Sequence, residues 1–263
     1  MNPTIEVIEN RKSVRSYLDR PIPQAERDII IHAALRSPSA GNMMLYSIIE
    51  VNDQNTKDGL VKTCDNQPLI GKAPFVLLFL ADYQRWYDYF IASGVPQICE
   101  EAQTAMRKPA EGDLFLACCD ALIAAQTAVI AAESLGIGSC YIGDIMENYE
   151  AHQVMFNLPQ YVFPITLVCF GYPTAQQQDR PLTERFDQKY VVYQDQYKRL
   201  TPQDFDAMYR SRHAQVFRNR ETVKGAENVG QLMYARKFDV EFSREMSRSV
   251  QTILRSWAKE SME

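Results

Sequence analysis

The fold is decided by the stretch Phe75-Val76-Leu77-Leu78-Phe79-Leu80-Ala81. It is an uninterrupted apolar run, without the alternation of polar and apolar residues that marks a strand with one solvent-facing side. Such a run is typical of a strand that is buried on both faces of a sheet. The sequence therefore predicts that residues 75–81 form a strand of a central sheet, with other elements covering both faces.

Three further segments predict neighbouring strands. Residues 47–51 are rich in isoleucine and valine and are closed by two turn-forming residues. Residues 140–143 and 165–170 are the other two segments. The last segment stops at Gly171-Tyr172-Pro173, where glycine and proline break regular structure.

Helical periodicity surrounds these strands. Apolar residues recur at helical spacing over residues 3–9 and 24–36, and Pro38 is expected to end the second helix. A long helical stretch over about 85–108 precedes an apolar run from Leu114 to Leu135. Helix-rich connections between a few strands predict a mixed α/β domain with a central sheet.

The apolar run from Leu114 to Leu135 has the length of a membrane span. It is interrupted by Asp120, Gln126 and Glu133. Alanine is its commonest residue, which together with these interruptions predicts a helix buried on most faces in a soluble core. Its adjacent thiols, Cys118 and Cys119, are expected to be inert because of that burial.

The C-terminal part of the chain differs in composition. Residues 174–190 are polar and rich in glutamine, which predicts an exposed linker or arm. The remainder is helical by periodicity and closes with an amphipathic helix, whose apolar residues are Met246, Val250, Ile253, Leu254 and Trp257. We predict a core over residues 1–175, an extended arm over 176–200 and a helical extension over 201–263 that belongs to the same domain.

Composition limits the classes of function. The chain has 263 residues, 46% of them hydrophobic, and a net charge of −5. A nucleic-acid-binding or membrane-surface protein would be broadly basic, so neither class fits. No signal peptide is visible at the N-terminus, and the six cysteines and three histidines show no metal-ligand spacing. We therefore expect a cytoplasmic protein with free thiols and no metal site.

A basic cluster lies near the N-terminus, at Arg11-Lys12-Ser13-Val14-Arg15. Three cations and a hydroxyl in five residues suit one dianionic group, because arginine binds phosphate with two hydrogen bonds and lysine adds a mobile charge. The small polar turn Ser37-Pro38-Ser39-Ala40-Gly41-Asn42 follows about two dozen residues later. For the cluster alone, a solvated basic turn is the alternative interpretation.

The common cofactor-binding and nucleophile motifs are incomplete or absent in this sequence. Gly136-Ile137-Gly138 lies between a helix and a strand, and Gly143 follows too late for a dinucleotide-binding fingerprint. Gly71-Lys72 lacks the first glycine and the Ser/Thr of a phosphate-binding loop. No G-x-S-x-G motif occurs, and the carboxylates form no convincing acid–base pair. Chemistry is therefore expected to be carried by a cofactor, with no catalytic side chain.

Several short segments, taken together, occur in a specific order and spacing. They include Arg11–Arg15, Ser47-Ile48-Ile49, Asn66-Gln67, Ala131–Gly138, Tyr141-Ile142-Gly143, Leu158-Pro159-Gln160 and Gly171-Tyr172-Pro173. This set resembles the FMN-dependent nitroreductase family from residue 3 to about 173, and more loosely through the C-terminus. Within that family, the chain is most similar to the NADPH-preferring group of oxygen-insensitive nitroreductases and NADPH:flavin oxidoreductases.

The resemblance implies an α+β fold in three layers, with a central mixed or antiparallel sheet flanked by helices. It also implies an intertwined homodimer with a C-terminal arm and two FMN sites at the interface. The residues implied for FMN binding are Arg11, Lys12, Ser13, Arg15, Pro38, Ser39, Ala40, Asn42, Gln67, Tyr141, Ile142, Gly143, Asp144 and Arg180.

These residues have different implied roles. Residues 11–15 and Arg180 would hold the ribityl phosphate, and the turn at 38–42 would reach the isoalloxazine edge from the partner subunit. Gln67 would bind the pyrimidine ring, and residues 141–144 would present backbone near N5 and O4. Glycine at position 143 suits that role, because a residue without Cβ lets backbone approach a flat ring closely.

The resemblance also implies that Arg212 and Arg220 bind NADPH. The chain departs from the family at Lys12, where relatives usually carry arginine, and at Gln178 or Asp179, where they carry lysine. A further departure is Met43-Met44-Leu45-Tyr46, which replaces a Gln-Pro pair and is expected to face the substrate side.

The implied function is a homodimeric oxidoreductase that takes hydride from NADPH or NADH and reduces a small-molecule acceptor by a ping-pong mechanism. The acceptors implied are nitroaromatics, quinones, azo compounds or free flavin. One alternative is a flavin reductase that requires a partner or serves one dedicated metabolite. Another is a flavin-binding module without turnover, which gains weight if residues 43–46 fill the nicotinamide slot.

Overall fold

The structure is a computed structural model that describes residues 2–218 and 220–258. The chain forms two compact units. The first runs to Pro181 and resumes at Glu245, and the second is Leu182–Arg244. The division that the sequence suggests, at residues 175 and 200, stays a prediction.

A four-stranded sheet lies at the centre of the first unit. Its strands are β1 (Tyr46–Glu50), β2 (Phe75–Asp82), β3 (Gly138–Ile142) and β4 (Val162–Gly171). Their order is β1-β2-β4-β3, and each neighbouring pair is antiparallel. The four predicted strands are therefore confirmed, and the sheet is antiparallel rather than mixed.

Helices surround the sheet and make up the C-terminal part of the chain. In chain order they are α1 (Pro3–Asn10), α2 (Gln24–Leu35), α3 (Gln54–Thr63), α4 (Pro68–Lys72), α5 (Gln84–Ala92), α6 (Val95–Glu101), α7 (Glu111–Ser134), α8 (Tyr149–Phe156), α9 (Ala175–Gln178), α10 (Pro202–Val216), α11 (Val229–Met233) and α12 (Glu241–Ala258). Short 3-10 turns occur at Ala40–Asn42, Gly143–Met146 and Gln188–Tyr190, and a π-helical turn at Tyr234–Phe238.

The helical stretch predicted over 85–108 is shorter than expected. It is split at Gly94, whose φ of 80° is left-handed and ends α5, and α6 stops at Glu101. Residues 104–110 then have no regular structure before α7 begins. Pro109 contributes to that gap, because the residue before a proline is disfavoured in the helical conformation.

Strand β2 is buried on both faces, as its sequence predicts. Phe75, Leu77 and Phe79 pack in a core that also contains residues of α2 and α7. Between them, Val76 and Leu78 pack in a second core with residues of α3 and α4. Since successive side chains of a strand point to opposite sides, β2 lies between two helical layers, and the α+β fold has three layers.

Helix α7 corrects one prediction, because only one of its faces is buried in the chain. That face is built largely of alanine and includes Ala121, Ala125 and Ala128, which pack on the sheet. The opposite face carries larger apolar residues, and their exposed fractions are 67% for Phe115, 46% for Leu116, 43% for Leu122 and 41% for Ile123. Length and composition alone would let α7 cross a membrane, but its alanine face belongs to the core.

The thiols of α7 differ in exposure, which corrects the expectation that both are buried. Cys118 is half-buried, and burial raises the pKa of its thiol to about 12. Cys119 lies on the exposed face.

The amphipathic character of α12 is confirmed. Ile253 and Trp257 are buried in a third core cluster, where the Trp257 ring meets Tyr161 edge-on at 5.5 Å between centroids. The Ser249 hydroxyl accepts a hydrogen bond from the backbone N–H of Tyr149 at 3.0 Å, which ties α12 to the start of α8.

Two glycines seat the N-terminal segment on the sheet. Gly138 of β3 and Gly171 of β4 lie directly opposite each other in the antiparallel register. A Cβ on Gly138 would lie 2.8 Å from Val14 Cβ, and one on Gly171 would lie 2.6 Å from Tyr17 Cγ. The two positions form a strip without side chains, and the segment that follows α1 fits against it.

Adding a methyl group to this strip is expected to destabilise the protein. Gly138→Ala and Gly171→Ala should each lower the free energy of unfolding by about 1–3 kcal/mol, because the new Cβ overlaps Val14 or Tyr17. Gly112→Ala is the matched control, since a Cβ there meets nothing within 4 Å and alanine favours the helix by about 0.5–1 kcal/mol. Urea denaturation of the three variants measures the difference, and equal stabilities would contradict this account.

Candidate functional site

The basic cluster lies in an extended segment along the edge of the sheet. Helix α1 ends at Asn10, and Ser13 then forms an isolated parallel bridge with Ser139 of β3. The Val14 N–H donates to the Ser139 carbonyl at 2.8 Å, and the Val14 side chain is buried. Because neighbouring side chains of an extended segment alternate in direction, burial of Val14 turns Ser13 and Arg15 the other way.

The chain returns to this segment near residue 180. The Lys12 ammonium donates to the carbonyls of Gln178 at 2.7 Å and of Arg180 at 2.6 Å. The Arg15 N–H donates to the Gln177 side chain at 3.2 Å, and the Arg180 guanidinium donates to the Ser13 carbonyl. These contacts bring Arg180 beside Ser13.

Lys12 therefore anchors the returning segment. Two of its three ammonium hydrogens are engaged by carbonyl groups, which leaves one for any further acceptor. An arginine at this position would hold its five donors in a rigid fork, whereas the lysine reaches two carbonyls with a single nitrogen. The departure from the family at position 12 thus coincides with a structural role that the sequence did not predict.

Three guanidinium groups lie within electrostatic reach of one buried thiol. Burial raises the pKa of Cys140, and Arg15, Arg11 and Arg180 all oppose that rise. Because each cation acts on the same sulfur atom, the three converge on the same region at β3. The described residues thus bring three of the four predicted phosphate-binding cations together around Ser13.

A half-buried carboxyl group, Glu133, accompanies these cations. Burial raises the pKa of Glu133 to about 7, while Arg11 and Lys12 oppose the rise. Its Oε1 atom is buried and has no hydrogen-bond partner. Glu133 lies in one of the segments that resemble the family, but the sequence did not distinguish it from the other residues of α7.

Two polar residues of this region were missed by sequence reasoning. Ser139 is fully buried, and its hydroxyl has no hydrogen-bond partner in the part of the chain that the structure describes. Lys72, at the end of α4, lines a cleft of 330 Å³ together with Arg15, Tyr17 and Leu69. Gly71-Lys72 does not match the motif of a phosphate-binding loop, so the sequence does not mark Lys72 as a site residue. The packing of α4 brings Lys72 beside Arg15.

A second group of predicted residues meets at the end of β3. The Gln67 amide nitrogen donates to Asp144 Oδ2 at 2.6 Å, which joins the start of α4 to the turn after β3. The Tyr141 hydroxyl donates to Gln126 on α7 at 3.1 Å, and burial raises its pKa. Ile142 packs in the core, so its backbone is the part that remains for a ligand.

Gly143 faces open space. A Cβ built on this residue meets nothing within 4 Å, and its φ is not in the left-handed region. Neither the backbone conformation nor the neighbouring atoms of this chain therefore require glycine at position 143. This space is compatible with a flat ligand that approaches the backbone closely.

The turn at residues 38–42 is held by a buried carboxylate. Asp120 of α7 accepts hydrogen bonds from the backbone N–H of Ala40 at 3.0 Å and of Leu45 at 3.1 Å. The Ser39 hydroxyl accepts from Met44 N–H at 3.0 Å, and Asn42 is left-handed with a φ of 57°. Pro38 is exposed beside them. Asp120 is thus a structural hydrogen-bonding residue.

The segment Met43–Tyr46 corrects another expectation. Leu45 is 0% exposed and Tyr46 is 2% exposed, so both side chains lie in the core instead of facing a substrate. The Tyr46 hydroxyl donates to the carbonyl of Ala34, and the carbonyl of Met43 accepts from Trp86. Of the four residues, Met43 and Met44 alone remain half-buried at the surface.

The residues predicted for NADPH lie in the second unit. Arg212 is on α10 and Arg220 follows that helix, and both are exposed. A groove of 790 Å³ in the same unit is lined by other residues, among them Phe205, Tyr209 and His213. The role of Arg212 and Arg220 stays a prediction.

Comparison with known proteins identifies the family. The nitroreductase family model matches residues 8–172, which is more than half of the chain. The chain therefore belongs to the nitroreductase family. As a member, it is an NAD(P)H-dependent oxidoreductase of the nitroreductase and flavin reductase type.

Individual relatives agree with that assignment. The chain is 33% identical over 201 residues to the oxygen-insensitive NADPH nitroreductase of Salmonella typhimurium, covering 76% of this chain and 77% of the relative. It is also 33% identical over 197 residues to an NAD(P)H-dependent FMN reductase of Bacillus subtilis, covering 75% of each. The crystal structure of nitroreductase A from Vibrio parahaemolyticus superposes with a TM-score of 0.77 at 25% identity, covering 96% of this chain and 98% of that one.

Removing the Lys12 ammonium is expected to release the returning segment. Lys12→Met deletes both hydrogen bonds to the carbonyls of Gln178 and Arg180, and a bond to a charged donor contributes about 1.5–3 kcal/mol. Amide hydrogen exchange over residues 176–181 should accelerate about tenfold or more. Lys108→Met, at an exposed position, removes the same charge as a control. Unchanged exchange in Lys12→Met would show that the segment is held by other contacts.

Proposed function

We propose that this chain is an FMN-dependent NAD(P)H oxidoreductase that reduces nitroaromatics, quinones or flavins in two-electron steps. The observation that carries the proposal is the convergence of Arg11, Arg15 and Arg180 around Ser13. Three guanidinium groups beside one extended segment suit a dianionic phosphate, which accepts several charge-assisted hydrogen bonds at once.

The residues present fit the phosphate of FMN. Arg180 is held beside Ser13, and Arg15 lines a cleft whose other cation is Lys72. The Ser139 hydroxyl lacks a partner, and a buried hydroxyl of this kind normally has one. We assign Arg11, Ser13, Arg15 and Arg180 to the phosphate, with Lys12 contributing mainly through the segment that it anchors.

The second group of residues fits a flat heterocycle. The open space at Gly143 admits a ring against the backbone, and Tyr141, Ile142 and Asp144 flank that position. Gln67 lies beside Asp144 and carries an amide that can bind the polar edge of a pyrimidine ring. We assign these residues to the isoalloxazine.

Bound FMN would supply hydride chemistry, accepting hydride from NAD(P)H and passing two electrons to an oxidant that enters the same place afterwards. The chain contributes orientation through Gln67 and the backbone at residues 141–144. It also contributes positive potential from the cluster at residues 11–15, which favours negative charge developing nearby. Arg212 and Arg220 are assigned to the 2′-phosphate of NADPH, because arginine binds phosphate with two hydrogen bonds.

We propose that the working form is a homodimer. The exposed face of α7 carries Phe115, Leu116, Leu122 and Ile123 along one helix, and a second copy of the chain would cover them. In that assembly, the partner's copy of the turn at residues 38–42 would complete the flavin site. Asp120 of α7 would support this role, because it holds the backbone of the turn through hydrogen bonds from the N–H groups of Ala40 and Leu45. A cytoplasmic location agrees with this assignment.

Binding of FMN and its reduction test the proposed function. The purified protein should show flavin absorption bands, and anaerobic NADPH should bleach them. Arg15→Gln should raise the dissociation constant for FMN about 10–100-fold, because it removes one charge-assisted interaction of about 1.5–3 kcal/mol. Arg36→Gln, at an exposed position after α2, is the charge-matched control.

Three other results would favour a different function or overturn the proposal. Flavin bands that persist with both NADPH and NADH would favour a flavin-binding module without turnover. Turnover only in the presence of a second protein would favour a partner-dependent flavin reductase. The absence of flavin binding, even with added FMN, would overturn the proposal.

The homodimer is tested on the exposed face of α7. Leu122→Asp places a charge where a second copy would exclude water, and burying an unpaired charge costs several kcal/mol. We expect light scattering to give the mass of a dimer for the wild type and of a monomer for the variant. Val154→Asp is the control, since Val154 on α8 is 83% exposed and also apolar. A monomeric wild type would contradict the proposal.

A further inference from the structure

Glu147 is a buried carboxyl group beside the proposed flavin site. It follows the turn Gly143–Met146, its residue is 5% exposed, and its backbone N–H donates to the Asp144 carbonyl at 3.0 Å. Its side-chain Oε1 is buried, and no donor among residues 2–218 and 220–258 forms a hydrogen bond with it. A buried carboxylate without a donor is costly, which indicates that the group does not carry its charge there.

The acidic groups around Glu147 strengthen that conclusion. Asp144 precedes it in the same turn, Asp65 faces it from the end of α3, and Glu245 faces it from α12. Burial, followed by the charges of Asp144 and Asp65, raises the pKa of Glu147 to about 8. The Arg248 guanidinium is engaged by Glu245 and by Glu150, at 2.8 Å in each pair.

Two further titratable groups near this turn, His152 and Cys64, are neutral near pH 7. Burial lowers the pKa of His152 on α8 to about 4, so its ring is uncharged. Burial raises the pKa of Cys64 to about 12, so its thiol keeps its proton, and Asp144 and Glu147 add to that rise. Neither group therefore supplies a positive charge that would offset an ionised Glu147.

We propose that Glu147 is a positioning residue, which as a neutral acid donates a hydrogen bond to Asp144 and thereby fixes the Gln67 amide toward the flavin. The geometric basis is the turn that both residues share, in which the Glu147 N–H donates to the Asp144 carbonyl at 3.0 Å. A side-chain hydrogen bond with Asp144 is among the causes that raise the pKa of Glu147. A proton on Glu147 turns its carboxyl group from an acceptor into a donor toward Asp144 and removes one of two adjacent negative charges. The inference rests on the proposed flavin site, and it concerns residues of this chain only.

The proposed hydrogen bond from Glu147 affects Gln67 through Asp144, which contacts both residues. As a carboxylate, Asp144 can only accept hydrogen bonds, so the group of Gln67 that meets it at 2.6 Å must be the amide nitrogen. The amide oxygen of Gln67 is then left as an acceptor for a ligand. An acceptor at this position selects a ring edge that carries an N–H group, such as the imide of the flavin pyrimidine ring.

The sign of the pH dependence follows from this arrangement. Glu147 keeps its proton in the folded protein until the pH rises through about 8, far above the ordinary range of a glutamate. Above that pH, a second negative charge appears beside Asp144 and the site is less well suited to an electron-rich ligand. FMN affinity is therefore expected to fall as the pH rises through about 8, by linkage.

The first experiment measures the proton on Glu147 without any flavin. Infrared difference spectra of the full chain should show the C=O band of a protonated carboxyl group that is present in wild type at pH 7 and absent in Glu147→Gln. Comparing the two proteins removes the contribution of Glu133, which both contain. The band should disappear with a midpoint near pH 8. Identical spectra of the two proteins at pH 7 would overturn the proposal.

The second experiment measures FMN affinity by quenching of flavin fluorescence from pH 6.5 to 9.5. Wild type should lose affinity about tenfold, which corresponds to FMN shifting the pKa of Glu147 by one unit. Glu147→Gln should lack the loss of affinity centred near pH 8, because its amide donates to Asp144 at every pH. It should keep only the pH dependence that it shares with wild type, including the titration of Glu133. Glu147→Ala should bind weakly throughout. Glu150→Gln is the matched control and should follow the wild type.

The outcomes separate this inference from the proposed function. Tight FMN binding with the same pH profile in wild type and Glu147→Gln would overturn the role of Glu147 alone. No FMN binding by wild type at pH 7 would overturn the flavin site itself and the role of Gln67 with it. The pH also changes the spectrum and the protonation of free FMN, but these changes are the same for every variant. Comparing the variants at each pH therefore removes them.

Discussion

The close approach of an extended segment to two opposed glycines is the constraint on which the rest of the structure depends. Gly138 and Gly171 are register partners in β3 and β4, and together they leave a strip that Val14 and Tyr17 occupy. Seating these two residues turns Ser13 and Arg15 away from the core, and Lys12 then captures the returning chain near Arg180. The convergence of cations is thus a result of backbone packing, because a side chain on either glycine would displace the segment that carries them.

Helix α7 has two dissimilar faces, and one of them packs on this sheet. Alanine lets one face pack closely on the sheet, and Asp120 on the same side fixes the backbone of the turn at residues 38–42. The large apolar residues lie on the other face, where the single chain leaves them exposed. One chain covers only the alanine face of this helix, and the exposed apolar face is the basis of the homodimer that we propose.

The candidate site combines two electrostatic environments. Cations surround Ser13, where they lower the cost of negative charge on a ligand, and even the half-buried Glu133 is influenced by Arg11 and Lys12. Beyond β3, by contrast, acidic groups meet at Asp144 and Glu147, and burial makes ionisation of Glu147 unfavourable at neutral pH. The proposed anion site thus lies in the basic cluster, and the proposed neutral donor lies in the acidic cluster, where a low dielectric penalises unpaired charge.

The amino-acid sequence by itself determined the four strands, the main helices of the core, the basic cluster and membership of the nitroreductase family. Those features depend on local periodicity and on residues that are neighbours in the chain. Only the tertiary structure decided that Lys12 binds the carbonyls of two residues near position 180 and that Lys72 lies beside Arg15. It also decided that Leu45 and Tyr46 are buried and that α7 has an exposed apolar face. Each of these depends on residues brought together from distant positions, for which a single sequence contains no distance information.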